Sequence, residues 1–143
     1  MADAKETNAA ETNVEAVDAA NDKTTAKHLI QDITTIKASE LLDLVSDLNT
    51  QGYRLAQACA ANTKEGMEVW YSFDSGDHIL KNYILPVPKD MTLQSITNIY
   101  WYAFIYENEM NDLFGIKFKN LALDYGGHFY RLSEETPWKP KDE

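Results

Sequence analysis

Two acidic side chains with the potential for chemistry sit almost side by side: Glu107 and Glu109, inside the strongly aromatic stretch from Ile99 to Phe114. Two carboxylates can divide acid and base work only when both reach the same substrate. At about 100° per residue, these two leave a helix on roughly opposite sides, which argues against a joint role. Glu107 follows Ile96 by eleven positions and therefore lies over it, in the middle of an apolar stripe. If that stripe is buried, the carboxylate must be paired or protonated; if the stripe is leaving the core there, Glu107 reaches solvent.

The remaining reactive types are scattered. Cys59 is the single cysteine, which excludes an intrachain disulfide, a four-thiolate cluster and a nickel site. Its small apolar surroundings suit a buried hydrophobe better than a reactive thiol. His28, His78 and His128 stand far apart with no partner at helical spacing, so each reads as structural or solvent-facing. There is no phosphate-binding glycine loop, no metal-spaced His/Cys set and no nucleophile–base pair.

The elements that position these residues are legible in outline. Residues 1–26 are dominated by Ala, Glu, Asp, Asn and Thr, bury too little to offset their ordering entropy, and are expected to form a disordered acidic tail. A single domain is expected over 27–143. Ile30, Ile33 and Ile36 suggest a first strand. Ser39 stands where an N-cap belongs, Leu41, Leu42, Leu44, Val45 and Leu48 form a helical stripe, and Gly52 ends it. A strand over Tyr53–Ala60 follows. Met67, Val69, Tyr71 and Phe73 then alternate with Glu68, Trp70 and Ser72, and Asp74-Ser75-Gly76-Asp77 has hairpin composition. The next strand ends at Pro86 and Pro88.

The spacing then predicts a long helix from Ser95 as N-cap through Phe114, closed by Gly115 in the left-handed conformation with Ile116 folding back onto Met110. Ile96, Ile99, Ala103, Met110 and Phe114 share its stripe. Trp101, Tyr102 and Tyr106 lie outside the stripe's centre, so a partner protein is expected on a second face. The sum is an α+β fold: strand, helix, three strands in an antiparallel meander, and a long C-terminal helix on a small mixed or antiparallel sheet.

Bulk charge narrows the partners. The formal net charge of −10 disfavours nucleic acid and anionic membrane surfaces, both of which need clustered cations. The longest apolar run, Ile99 to Tyr106, falls well short of the roughly 18 residues of a membrane span. The chain reads as soluble and cytoplasmic, without a signal peptide.

The stretch SITNIYWYAFIYENEMNDLFGIKF resembles the signature region of the 30-kilodalton subunit family of respiratory complex I. That pattern is a Ser-Ile-Thr start, an alanine one turn before Glu-Arg-Glu, then Asp-Leu-Phe-Gly-Ile. Ser95, Ile96, Thr97, Ala103, Glu107, Glu109, Asp112, Leu113, Phe114, Gly115, Ile116 and Phe118 match it, while Asn108 replaces the arginine. Further on, the Asp124-Tyr125-Gly126-Gly127 segment stands in place of the family's Gly-His-Pro segment and, with the short remainder, is similar to the branch found in energy-converting (Ech-type) membrane-bound [NiFe] hydrogenases.

The resemblance implies a non-catalytic subunit that carries no cofactor, with iron–sulfur clusters and the nickel–iron site in partner chains. It implies a hetero-oligomer in which this chain packs on the hydrogenase-like large subunit, beside a cluster-bearing small subunit. The whole would be peripheral to the cytoplasmic face and reach the membrane arm only through the complex. Glu107 would then be buried, with Arg131 or a basic residue of the large subunit as its partner. The alternatives are the equivalent subunit of an NADH/quinone oxidoreductase, a stand-alone assembly or interaction module, and a small-molecule enzyme built on Glu107 and Glu109.

Overall fold

The computed structural model describes residues 30–141; the acidic tail expected over 1–26 lies outside them. Strand β1 (Ile30–Thr35) leads through a short 3-10 turn (Ala38–Glu40) into α1 (Leu41–Thr50). Strands β2 (Arg54–Thr63), β3 (Gly66–Asp74) and β4 (Ile79–Pro86) follow, then β5 (Thr92–Gln94), α2 (Ala103–Phe114) and β6 (Lys117–Lys119). The fold is α+β, as the sequence predicts.

The main sheet has the order β1-β4-β3-β2. β2, β3 and β4 form the expected antiparallel meander, and β1 joins β4 in parallel, with Ile30 opposite Ile79. The alternation read in β3 sets its faces: Val69, Tyr71 and Phe73 are fully buried, whereas Glu68, Trp70 and Ser72 are half-buried. The turn before β4 is tied by the Gly76 amide donating to Asp74 Oδ1 at 2.8 Å. Arg54 closes the same end of the sheet with an ion pair to Asp74 at 2.7 Å.

One core lies on the Val69–Tyr71–Phe73 face. Leu41, Val45 and Leu48 of α1 enter it together with Leu55, Leu85, Ile96, Ala103 and Met110. Leu42 does not join the α1 stripe and is exposed, because a helix on a two-layer fold turns one face inward and Leu42 lies beyond its edge. Nor does Ser39 cap α1. It lies inside the 3-10 turn, which is fastened by the Lys37 amide donating to Glu40 Oε2 at 2.8 Å. Gly52 ends the helix as predicted, at φ 85°, and the Tyr53 amide returns to the Leu48 carbonyl.

The second helix is shorter than its apolar period suggests. α2 starts at Ala103, and residues 96–102 wind instead through tight turns, with Tyr100 N–H on the Ile96 carbonyl and Ala103 N–H on the Tyr100 carbonyl. Two side-chain effects divert this segment. Glu107 captures the Ile96 amide, and the Tyr100 and Tyr102 hydroxyls reach back to the carbonyls of Tyr53 and Leu55. The branched residues Ile96, Thr97 and Ile99 weaken the helical alternative. Ser95 still acts as a cap, but of the turn: its Oγ accepts the Thr97 amide at 3.1 Å.

The far end of α2 closes as predicted. Gly115 has φ 76°, its amide donates to the Asn111 carbonyl, and the Ile116 amide donates to the Met110 carbonyl. β6 then pairs in parallel with β5, Thr92 opposite Lys117, a two-stranded sheet that the sequence reading did not contain.

Candidate functional site

The site is the helix α2 with the two segments it fastens, 95–97 before it and 121–130 after it. Glu107 points into the core and is fully buried. Its Oε2 accepts the Ser95 hydroxyl at 2.6 Å, and its Oε1 accepts the Ile96 amide at 2.9 Å. Burial pushes its pKa up to about 7, against the lowering pull of those two donors. The Thr97 hydroxyl lies 2.6 Å from Ser95 Oγ and accepts the Ala122 amide at 3.0 Å, so one chain of hydrogen bonds joins Glu107 to the segment beyond β6.

Arg131 is not part of this arrangement. It is exposed, and the two groups that meet Glu107 are local ones, Ser95 and Ile96. The nearby Tyr71 hydroxyl is fully buried and without a hydrogen-bond partner. Burial, and then the charge of Glu107, push its pKa up.

The rest of the polar motif faces the other way. Asn108 is buried and uses its amide twice, donating to the carbonyls of Phe104 at 2.7 Å and Leu123 at 2.8 Å, while its oxygen accepts the Tyr125 amide at 3.0 Å. Glu109 and Asp112, one turn apart, hold a single residue between them. Tyr130 gives its hydroxyl to Glu109 Oε2 at 2.9 Å and its amide to Asp112 Oδ2 at 2.7 Å. Glu107 and Glu109 therefore serve opposite sides.

Asp112 is the exception in an otherwise satisfied motif. It is buried, and its Oδ1 has no hydrogen-bond partner. A buried acceptor left in this state costs roughly 1–3 kcal/mol. Leu113 and Phe114 pack in the core, with Phe114 edge-on to Trp138 at 5.4 Å. A Cβ added to Gly115 would stand 3.2 Å from Thr136 Cγ2, so the close approach of the 136–139 segment adds to the preference for glycine that its φ sets. Ala103 is fully buried where α2 begins.

Three tyrosines have a role that periodicity did not suggest. The hydroxyls of Tyr100, Tyr102 and Tyr106 donate to the backbone carbonyls of Tyr53, Leu55 and Ala56. β2 is an edge strand with a register shift between Leu55 and Gln57; Tyr102 and Tyr106 satisfy carbonyls it would otherwise present, and Tyr100 that of the residue just before it. The aromatic surplus therefore has two uses, since Trp101 remains exposed at 57%, with the aliphatic Ile105 near it in sequence at 43%.

Cys59 is half-buried, and burial, followed by the charge of Glu109, raises its pKa, opposite to what a reactive thiolate needs. Among the described residues, no group of three or more His, Cys, Asp or Glu side chains could hold a metal ion, and no helix is long and apolar enough to cross a membrane.

Comparison with known proteins agrees with the motif and its setting. The sequence pattern described as respiratory-chain NADH dehydrogenase, 30 Kd subunit, matches residues 12–124. Among curated proteins the sequence has no match. The fold is similar to a chain in the structure of the membrane-bound sulfane sulfur reductase, an archaeal respiratory membrane complex. That similarity has a TM-score of 0.67 and 16% identity, covering 88% of this chain and 81% of that one. With the signature helix, its glycine stop and most of its length matched, the chain belongs to the family of the 30-kilodalton subunit of respiratory-chain NADH dehydrogenase.

Proposed function

We propose that this chain is a structural, cofactor-free subunit of an energy-converting membrane-bound complex of the [NiFe] hydrogenase type. In this reading it packs on the large catalytic subunit near the junction with the membrane arm, with a cluster-bearing small subunit alongside, peripheral to the cytoplasmic face. Electron transfer and ion translocation take place in other chains. The observation that carries the reading is the direction of the signature's polar groups. Glu107, Asn108 and Glu109 are engaged inside the chain, while Trp101 and Ile105 of the same region stand exposed. Polar residues directed inward and apolar ones outward suit a surface made for packing rather than for turnover.

The Asp124-Tyr125-Gly126-Gly127 segment favours the hydrogenase branch. The family's own description supports the second reading, the equivalent subunit of an NADH/quinone oxidoreductase. Affinity purification of the full chain from its native cell, with co-eluting chains identified, tests both. Hydrogenase large and small subunits are expected, NADH-oxidising chains would support the second reading, and elution alone would overturn both. Expressed by itself, the chain should bind a hydrophobic dye, and co-expression with the large subunit should suppress the signal.

A further inference from the structure

We propose that the cleft over Asp112 is a receiving site for a guanidinium group, supplied by an arginine of the large subunit on which this chain packs; this rests on the reading of the chain as a packed subunit. The cleft, of about 500 Å³, lies between the C-terminal half of α2 and the segment 126–139. At its floor is Asp112, 2% exposed, with one oxygen taken by the Tyr130 amide and the other without any donor. Its neighbour Asn111 directs its amide group to the Ile116 carbonyl at 2.9 Å. That leaves the Asn111 oxygen beside Gly127, where an added Cβ would stand 4.0 Å away. Glu135 lines the cleft as well, and so does Glu134, whose Oε1 is already paired with Lys141 at 2.9 Å.

These groups are acceptors, and the buried one is charged when ionised. A planar group with several donors answers that set better than a compact ammonium does, because it can serve Asp112 Oδ1 and a second acceptor together. Lys117 and Lys139 also line the cleft, but neither forms an ion pair with Asp112. The surroundings favour a protein donor over a free small molecule. Tyr130 and Leu132 on the cleft wall are exposed at 40% and 38%, giving a charged centre with apolar neighbours of the kind that excludes water once a partner is seated. Oδ1 is itself covered, so a seated arginine meets it by displacing part of the wall that Tyr130 fastens to α2.

Two measurements test the site. In the first, the carboxyl carbon of Asp112 and the amide of Tyr130 are followed by NMR in the wild-type full chain while arginine methyl ester is added, with lysine methyl ester as comparison. Both signals should move, at several-fold lower concentration for the arginine ester, and D112N should not respond. No movement, an equal response to lysine, or an unchanged response in D112N would overturn the proposal. A response that appears only in K139M, or is many-fold stronger there, would overturn it too, by showing that the charge is already supplied within the chain. In the second, D112N is co-expressed with the large subunit. Asn can still accept the Tyr130 amide, and a thermal melt verifies that the variant folds. Its affinity for the large subunit should fall roughly ten- to hundredfold; wild-type recovery would count against the site while leaving the subunit reading intact. Failure of the wild-type chain to recover the large subunit would remove that reading instead, whatever the titration shows.

Discussion

Glu107 and Ser95 meet at 2.6 Å inside the core, twelve positions apart in sequence, and this contact joins the start of the signature to its middle. It forms because the segment before α2 is not helical, so Ser95 can turn its hydroxyl toward Oε2, while the Ile96 amide serves Oε1. The pair fixes where the turn ends and where the helix begins.

The Glu107 pKa gives a pH dependence with a definite sign. Its value in the fold is about 7, against 4.5 ordinarily, so between these values the folded state holds the proton more tightly than the unfolded state. This group's contribution to stability therefore falls as pH rises from 4.5 to 7, by about 3 kcal/mol in all. In E107Q that dependence should vanish. Urea unfolding of both proteins from pH 5 to 8 reads the difference directly; a constant difference would show that Glu107 titrates normally.

The tyrosine row should protect the β2 edge. Replacing Tyr100, Tyr102 or Tyr106 by Phe removes one donor from a carbonyl in β2 or just before it and should cost about 0.5–1.5 kcal/mol each. Tyr100 is expected to lie at the upper end because it is the most buried of the three. The triple variant should also self-associate, as exposed strand edges do; thermal melts and light scattering measure the two effects separately.

Asn108 anchors the segment after β6 with two contacts, to Leu123 and Tyr125. N108A should destabilise the fold by about 2 kcal/mol, the range for losing buried polar contacts. Hydrogen exchange at the Tyr125 amide should accelerate in the variant while exchange in β3 changes only with global stability. N108R, which restores the family's residue, should also displace this segment, since the position has no space open to solvent.

Gly115 is held by both its backbone and its surroundings. G115A places a side chain at φ 76° and 3.2 Å from Thr136 Cγ2, and should lower stability by about 1 kcal/mol or more. A melt of G115A beside T136S, which removes the methyl group it would meet, separates contact from backbone strain.

Period and punctuation carried most of the fold. The alternation through Phe73, the hairpin at Gly76 and the stops at Gly52 and Gly115 were legible because each depends on neighbours a few positions away. The period placed Glu107 on the apolar stripe but left open whether the stripe was still buried there; the fold shows that it is. The start of α2 was not, because an apolar period counts Tyr100 and Tyr102 as core and has no means of showing that their hydroxyls belong to β2. β5 and β6 are three residues each and pair across α2, too short to leave a pattern. Arg131 seemed a suitable counter-charge because it follows the helix in sequence, but a buried carboxylate is satisfied by the donors that the fold brings to it, here a hydroxyl and an amide.

The parallel edge strand β1 has a consequence for how the chain acquires its shape. Its partner Ile79 is about fifty positions downstream of Ile30, whereas β2, β3 and β4 pair with immediate neighbours through short connections. The loop that β1 must close carries the larger entropy cost, and all six of its residues remain exposed, so little burial drives the closure. The meander should therefore nucleate first and β1 dock last; on the way out, β1 should be the first strand to open, fraying on its own while the core behind Tyr71 is still shut.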